Sequence, residues 1–301
     1  MSGVRPATVH ERGAALRLLL AHRPTAEREA RVFGLLDLIR ARALDPAGLL
    51  VVTDFQKAIR GAILATPVAG AGGMIWPPAC QTLAEAQALV EAALAWLRTQ
   101  GTRIVQAMVS LPEQRRNLWL EACGFRAVTE LWTLARESDE PLPDSLQLPT
   151  VRLTYEPYDP EQGAAFEATL QETYTDSLDC PEVNGLRSIA EILAGHRVQG
   201  EYDPSRWWLV REAAEPVGVV IQVDHPANEE RELAYLGLVP AARGRGLARV
   251  ILAEVLARAA TDRQGRVILG VDARNEPALR LYTSVGFEEV ERQRVFLRVD
   301  F

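Results

Sequence analysis

The sequence predicts an α+β fold built twice in tandem, and three observations carry that prediction. The chain has 301 residues, about twice the usual domain size of roughly 100 to 150 residues. Two segments, LPEQRRNLWLEACGF (residues 111–125) and ARNEPALRLYTSVGF (residues 273–287), lie over each other without gaps, and each reads as a short helix closed by glycine before a strand. Each is preceded by a helix rich in Ala and Leu and then an apolar strand, at residues 84–98 and 103–109 in the first half and 247–260 and 266–272 in the second. The repeat is therefore a whole unit of about 140 to 150 residues, not a short solenoid element. The prolines and acidic residues of SDEPLPDSLQLPT (residues 138–150) have the composition of an exposed linker, which sets the units at residues 1–140 and 150–301.

Composition bounds the function. Hydrophobic residues make up 48% of the chain and charged residues 24%, the balance of a globular protein. A net charge of −7 and a pI near 5.3 exclude a broad nucleic-acid surface, because phosphate backbones need clustered Lys and Arg. No stretch approaches the roughly 20 apolar residues of a membrane span, and the first residues lack the apolar core of a signal peptide, so a cytoplasmic protein is expected. Cys80, Cys123 and Cys180 are widely separated, with no paired spacing and no histidine cluster. Neither a disulfide nor a metal site is expected. Lys57 is the only lysine, and its surroundings carry no phosphate-loop or Schiff-base motif.

In the second half, ELAYLGLV (residues 232–239) reads as a buried strand ended by Pro240. The next helix packs on the sheet through Leu247, Ile251 and Val255 at helical spacing and begins just after Arg243-Gly244-Arg245-Gly246. A helix N-terminus offers unpaired N–H groups and the positive end of the macrodipole, so this segment suits an anion such as a pyrophosphate. Gly244 and Gly246 remove side chains where the phosphates approach, Ala248 keeps the next position small, and Arg243 and Arg245 add charge at the rim. The dinucleotide fingerprint fails because Arg249 stands where a third small residue is required, and the nucleoside-triphosphate loop fails for want of a lysine. A solvated glycine turn is the alternative for the two glycines alone.

The run L-V-P-A-A-R-G-R-G-L-A, an amphipathic helix, a strand and N-E-P-A-L-R-L-Y-T-S-V-G-F together resemble the GNAT superfamily of N-acetyltransferases, clearly over residues 205–300. Arg243, Gly246 and Ala248 match its R/Q-x-x-G-x-G/A signature; Asn275, Ala278, Leu281, Tyr282, Gly286 and Phe287 match its later block. The resemblance implies two tandem units, each a mixed, mainly antiparallel sheet flanked by helices, with acetyl-CoA as co-substrate and no metal. It implies a sheet that splays beside residues 232–239, with Leu238 and Val239 pairing the pantetheine arm through their backbones. It further implies that the N–H of Leu236 polarises the thioester carbonyl, that Arg243, Gly244, Arg245, Gly246, Leu247 and Ala248 bind the pyrophosphate, and that Asn275 contacts the pantetheine.

Aminolysis of a thioester needs a neutral amine, a stabiliser for the oxyanion and a proton for the departing thiolate. Tyr282 suits the last task, since a phenol of pKa about 10 stays protonated at neutral pH; simple packing is the alternative. The resemblance points to Glu232 as the base, acting through water, with Glu229 and Glu230 as competitors and a solvated hairpin edge as the plain alternative. The acceptor, an amine expected on a small cationic molecule, is assigned to YTDSLDCPEVNGLR (residues 174–187), where Asp176, Asp179 and Glu182 either surround a cation or serve as caps and loop charges.

Cys180 is read as a small, at least half-buried residue, Trp207 and Trp208 as one core and one cleft or interface aromatic, and His196 and His225 are given no role. The first unit has PPACQTLAEA (residues 77–86) in place of RGRGLA, Leu120 at the position of Tyr282 and Glu113 at that of Asn275. It reads as a degenerate copy, similar to tandem family members in which only the C-terminal unit catalyses, and AGAGGM (residues 69–74) reads as a hairpin. The rival readings are a non-catalytic acyl-CoA sensor and an acetyltransferase acting on a protein amine.

Overall fold

A computed structural model describes residues 3–111 and 113–299. The chain forms two compact units, Met1–Val128 with Gln293–Phe301, and Thr129–Arg292. No helix among the described residues is long and apolar enough to cross a membrane.

The first unit contains β1 (Arg5–Pro6), α1 (Arg12–Leu19), α2 (Thr25–Arg40), β2 (Leu49–Thr53), β3 (Ile59–Val68), β4 (Gly72–Ile75), α3 (Leu83–Thr99), β5 (Ile104–Ser110) and α4 (Gln114–Ala122). Strands β1 to β4 pair antiparallel in sequence order, and β4 runs parallel to β5. The glycines of residues 69–74 make the tight turn into β4, with Gly70 at φ +84°. On one face α1 and α2 bury Leu16, Leu19 and Val32 against the sheet; on the other α3 buries Leu89, Val90, Ala93 and Leu97.

The second unit contains β6 (Arg126–Glu137, most of it), β7 (Leu153–Pro157), α5 (Ala164–Thr173), α6 (Ile189–His196), β8 (Trp208–Glu212), β9 (Glu215–His225), β10 (Glu230–Leu238), α7 (Leu247–Thr261), β11 (Arg266–Asp272) and α8 (Glu276–Ser284), followed by the start of β12 (Glu288–Val299). Its sheet runs β6-β11-β10-β9-β8-β7, with β10 and β11 parallel and the other pairs antiparallel. The predicted α+β class with two mixed, mainly antiparallel units is what the chain forms. Helices α4 and α8 both end as expected on glycine: Gly124 and Gly286 take φ of +82° and +91°, the left-handed cap that a side chain disfavours.

The unit boundaries differ from those expected at residues 138–150, for two physical reasons. Strand β6 follows α4 in the chain, yet its residues 131–137 pair with β11 of the second unit. The first unit takes its last strand from the end of the chain, where residues 293–299 pair with β5. The segment after β6 is also more than a solvated linker. Ser138 is buried and bonds to the Gly265 and Gln264 carbonyls, and Leu142, Leu146 and Val151 pack on the α7 core. The buried Arg136 guanidinium reaches the Glu140 and Pro141 carbonyls at 2.7 and 2.9 Å.

Trp207 and Trp208 correct another expectation: both are fully buried, and strand alternation sends them to opposite faces. Trp207 joins Tyr158 and Phe166 under α5, whereas Trp208 joins the α7 core. The charge buried with this sheet is Arg231, 1% exposed, whose guanidinium bonds Asp224 at 2.8 Å and Asp262 at 2.8 Å. Asp224 also pairs with Arg206 and accepts from Gln264 at 3.1 Å, so removing Arg231 leaves it only partly compensated. Arg231→Leu is therefore expected to lower the unfolding free energy by about 1 to 3 kcal/mol in chemical denaturation, and an unchanged stability would contradict this account.

Candidate active site

The site begins where two strands stop pairing. Strand β10 pairs with β9 along its length, with a bulge between Leu233 and Tyr235, but with β11 only over Glu230–Glu232 against Arg266–Ile268. Beyond that point the edge of β10 is open, and a cavity of about 690 Å³ fills the divergence. Alternation decides which backbone groups face it. Val239 N–H donates to the Val217 carbonyl on β9 at 3.1 Å, so Leu238 and Leu236 point away from β9, toward the open edge. Both line the cavity. Val239 does not, contrary to expectation: its N–H is spent on Val217, its carbonyl accepts from Ala242 at 2.9 Å, and its side chain is buried.

The glycine loop follows. Gly244 and Gly246 take φ of +74° and +77°, which turns the chain from Pro240–Ala242 into α7 at Leu247. Among the described residues, the backbone N–H groups of Gly244, Arg245, Gly246, Leu247 and Ala248 have no protein acceptor. Leu247 anchors the helix by burying its side chain in the core. Arg243 lies beneath the loop as a clamp: it donates to the carbonyls of Leu238 at 3.1 Å, Asp176 at 3.3 Å and Thr173 at 2.9 Å. Arg245 is exposed and pairs with Glu212 at 2.8 Å.

The matching helix of the first unit, α3, is closed. Thr82 and Glu85 form a capping box, and the Glu85 carboxylate accepts from the N–H groups of Gln81 at 2.9 Å and Thr82 at 3.0 Å. A side chain already sits where an anion would.

Tyr282 lines the cavity from α8 and packs edge to face on Phe287. Its hydroxyl has no protein hydrogen-bond partner among the described residues, and burial, with the charge of Asp179, pushes the phenol above its usual range. Asn275 also lines the cavity; its Oδ1 caps α8 by accepting from Ala278 N–H at 3.2 Å, which leaves its amide N–H₂ as the donor.

The structure separates the expected acidic residues. Glu232 bonds His225 at 2.8 Å and stands just outside the cavity wall, which begins at Leu233. Asp176 and Asp179 line the cavity. Glu182 does not, because Arg274 holds it in a bidentate pair at 2.6 and 2.9 Å. Arg274 also bonds Asp272 at 2.7 Å, and Asp272 accepts the Cys180 N–H at 3.1 Å, so the 176–182 loop is pinned to the end of β11. Burial, then the Asp179 and Asp272 charges, push the half-buried Cys180 thiol up to about 12, which removes it as a nucleophile at neutral pH.

The sequence reading missed Tyr235, Thr173 and Gly237. The Thr173 hydroxyl donates to Leu170 at 2.7 Å and accepts from Tyr235 at 2.7 Å, which fixes the Tyr235 ring at the cavity wall. A Cβ on Gly237 would lie 2.6 Å from the Tyr235 hydroxyl and 2.8 Å from Thr173 Cβ, and one on Gly218 would lie 2.5 Å from the Gly237 carbonyl oxygen. The glycine inside the strand predicted at residues 232–239 was the available signal, since such a glycine marks close backbone approach.

With the geometry in place, likeness to known proteins can be stated. The acetyltransferase (GNAT) family matches residues 170–287. Mycothiol acetyltransferase of Thermobispora bispora is 30% identical over 208 residues, covering 63% of this chain and 68% of that one. Mycothiol acetyltransferase of Nocardioides sp. is 26% identical over 186 residues, covering 56% of this chain and 60% of that one, so this chain spans about three fifths of that relative's length. A GCN5-related N-acetyltransferase from Sphaerobacter thermophilus shares the fold with a TM-score of 0.67 over 98% of this chain and 95% of that one, at 18% identity.

Two glycines of the site are required for different reasons, which substitution separates. Gly237→Ala crowds Tyr235 and is expected to cost about 1 to 3 kcal/mol of stability through overpacking. Gly244 has open space around it, so Gly244→Ala is expected to cost about 1 to 2 kcal/mol from its left-handed backbone alone and to leave Tyr235 fluorescence and packing unchanged. A Gly237→Ala protein as stable as the parent would refute the packing argument.

Proposed function

Because this chain belongs to the acetyltransferase (GNAT) family, we propose that its second unit transfers the acetyl group of acetyl-CoA to a primary amine, by direct attack of that amine on the thioester. The observation that carries this reading is one cavity lined by the phosphate-loop residues Gly244, Gly246, Leu247 and Ala248, the open β10 edge at Leu236 and Leu238, and the Tyr282 phenol. The unpaired N–H groups and the helix macrodipole fit a pyrophosphate. The β10 edge offers the pantetheine amides the strand partner that β11 withdraws, and the Asn275 amide faces the same channel.

The Leu236 N–H would stabilise the oxyanion that forms as the amine attacks, and Tyr282 would give its proton to the departing thiolate. A buried phenol suits that role, since its raised pKa keeps the proton in place until sulfur charge develops. Cys180 takes no part. The first unit supports this reading by contrast: with Glu85 folded over its helix N-terminus, it would bind no donor. The two acidic residues on the cavity wall favour a cationic acceptor, and relatives named for acetylation of mycothiol support a small molecule over a protein amine. Glu232, the base to which family likeness points, would reach the cavity only through solvent.

Calorimetric titration with acetyl-CoA is expected to show one equivalent bound by the parent chain and none by Gly246→Glu, whose carboxylate would enter the phosphate loop; no binding by the parent would sink the assignment. Tyr282→Phe is expected to keep donor affinity and lose about 100-fold or more in kcat, within the usual worth of a general acid. The sign of the pH dependence follows from the raised phenol. A general acid works while protonated, so the parent should show no fall in kcat from this group between neutral pH and about pH 10, the ordinary phenol value. An alkaline limb below that, absent in Tyr282→Phe, would contradict the assignment.

A further inference from the structure

We infer that Asp179 is the residue that takes the proton from the acceptor's ammonium group, acting in direct contact with the amine inside the cavity. The inference rests on the proposed acetyl transfer and goes beyond it by naming the base. Three independent features of the structure lead to it.

The first is position. Asp179 lines the same cavity as Tyr282 and Leu236, whereas Glu232 does not line it and is bonded to His225. The charge of Asp179 is felt by the phenols of Tyr282, Tyr174 and Tyr235, which come from α8, the end of α5 and β10. It therefore stands where the splayed strands and α8 converge, beside the point at which the thioester would lie.

The second is the lack of a partner. Glu182 is neutralised by Arg274, and Asp272 accepts from Arg274, Thr129 and the Cys180 N–H. Among the described residues no basic side chain forms an ion pair with Asp179. Asp179 is an exposed side chain that lines the cavity with no counter-charge bound to it; a carboxylate so placed attracts a cation, and the cation the proposed reaction supplies is the amine substrate.

The third is preorganisation. The Cys180 N–H is tied to Asp272 at 3.1 Å, the Asp179 N–H donates to the Ser177 hydroxyl at 3.2 Å, and Arg274 bonds Glu182 two residues beyond Cys180. Before Asp179, Arg243 holds the Asp176 carbonyl at 3.3 Å, so the backbone that carries the carboxylate is fastened on both sides, as suits a base that must keep its distance to the reacting nitrogen. Burial, followed by the charge of Asp272, raises its carboxyl above the usual range, which moves it toward the basicity that favours proton transfer near neutral pH.

The proton account closes. Asp179 takes one proton from R–NH₃⁺, the neutral amine attacks the acetyl carbon, and the C–N bond forms. The C–S bond then breaks and Tyr282 protonates the thiolate. The nitrogen's second departing proton returns to the Tyr282 phenolate, and Asp179 releases its proton to solvent when product leaves. The net change is an ammonium and a thioester converted to an amide, a thiol and one proton.

The test measures thiol release from acetyl-CoA with L-cysteinamide, putrescine and glucosamine as acceptors between pH 6.5 and 10, with donor affinity measured in parallel. Asp179→Asn is expected to keep the donor Kd of the parent and to lose about 100-fold or more in kcat at pH 7. The loss should shrink as pH approaches the amine's own pKa, because the amine then arrives neutral, and Asp179→Glu should recover part of the rate. The groups facing Asp179 that could shape the profile are Asp272, Arg274, Cys180, Tyr174, Tyr235 and Tyr282; only a profile change that depends on replacing Asp179 counts. Three results would overturn the inference: a rise in KM with kcat unchanged, which makes Asp179 a binding charge only; a loss that is constant across pH; or a pH-dependent loss in Glu232→Gln that Asp179→Asn does not show. A parent that binds acetyl-CoA but turns over none of the amines would remove the proposed activity and this role together, and is told apart from those three by the parent alone.

Discussion

The second unit is organised by one constraint: β10 can pair with β11 for only three residues. Parallel neighbours normally pair the N–H and C=O of alternate residues along their common length, and unpaired backbone inside a protein is costly. Here the unpaired stretch is retained because each end of it is held by something else. The Val239 N–H bonds back to β9, and the Leu238 carbonyl accepts from Arg243, which also grips the last carbonyl of α5 and that of Asp176. Arg243 thus fastens the end of β10 to the end of α5 and the segment after it, and it lines the cavity as well.

The two units differ at one helix entry through a few side chains. Both place a helix after the first strand of the parallel pair. In α7 the entry is made by glycines in left-handed conformations, which leave successive N–H groups facing outward. In α3 the entry is Thr82 with Glu85, and the carboxylate satisfies the N–H groups that a phosphate would otherwise take. A capping box adds stability to its own helix, whereas the glycine entry leaves the first N–H groups of α7 without a protein acceptor among the described residues.

Acidic residues near the cavity divide by their partners in the same way. Arg274 absorbs Glu182 and Asp272 into a clasp that fixes the loop, His225 holds Glu232, and Asp176 and Asp179 face the cavity with no ion pair among the described residues. Charge alone does not separate these five carboxylates. The distance from each to a cation or hydrogen-bond donor does, and those donors come from elements far apart in the chain.

Elements whose causes are local could be read from the residues alone. Helices α3, α4, α7 and α8 lie where periodicity and closing glycines put them, and the glycine-rich entry to α7 and the phenol on α8 were legible because a few consecutive residues encode each. What only the tertiary structure decided concerns residues brought together from a distance. Trp207 and Trp208 both proved buried because sheet faces on each side are covered. Val239 turned from the open edge because a strand neighbour claimed its N–H, and Glu182 was lost to Arg274, 92 residues away. The strand after α4 joined the second unit while the end of the chain completed the first. A strand's pattern states that it will pair and which side chains it will bury; hydrogen bonding to backbone groups is blind to sequence, so the choice of partner, and with it which carboxylate remains free, is made only when the chain has folded.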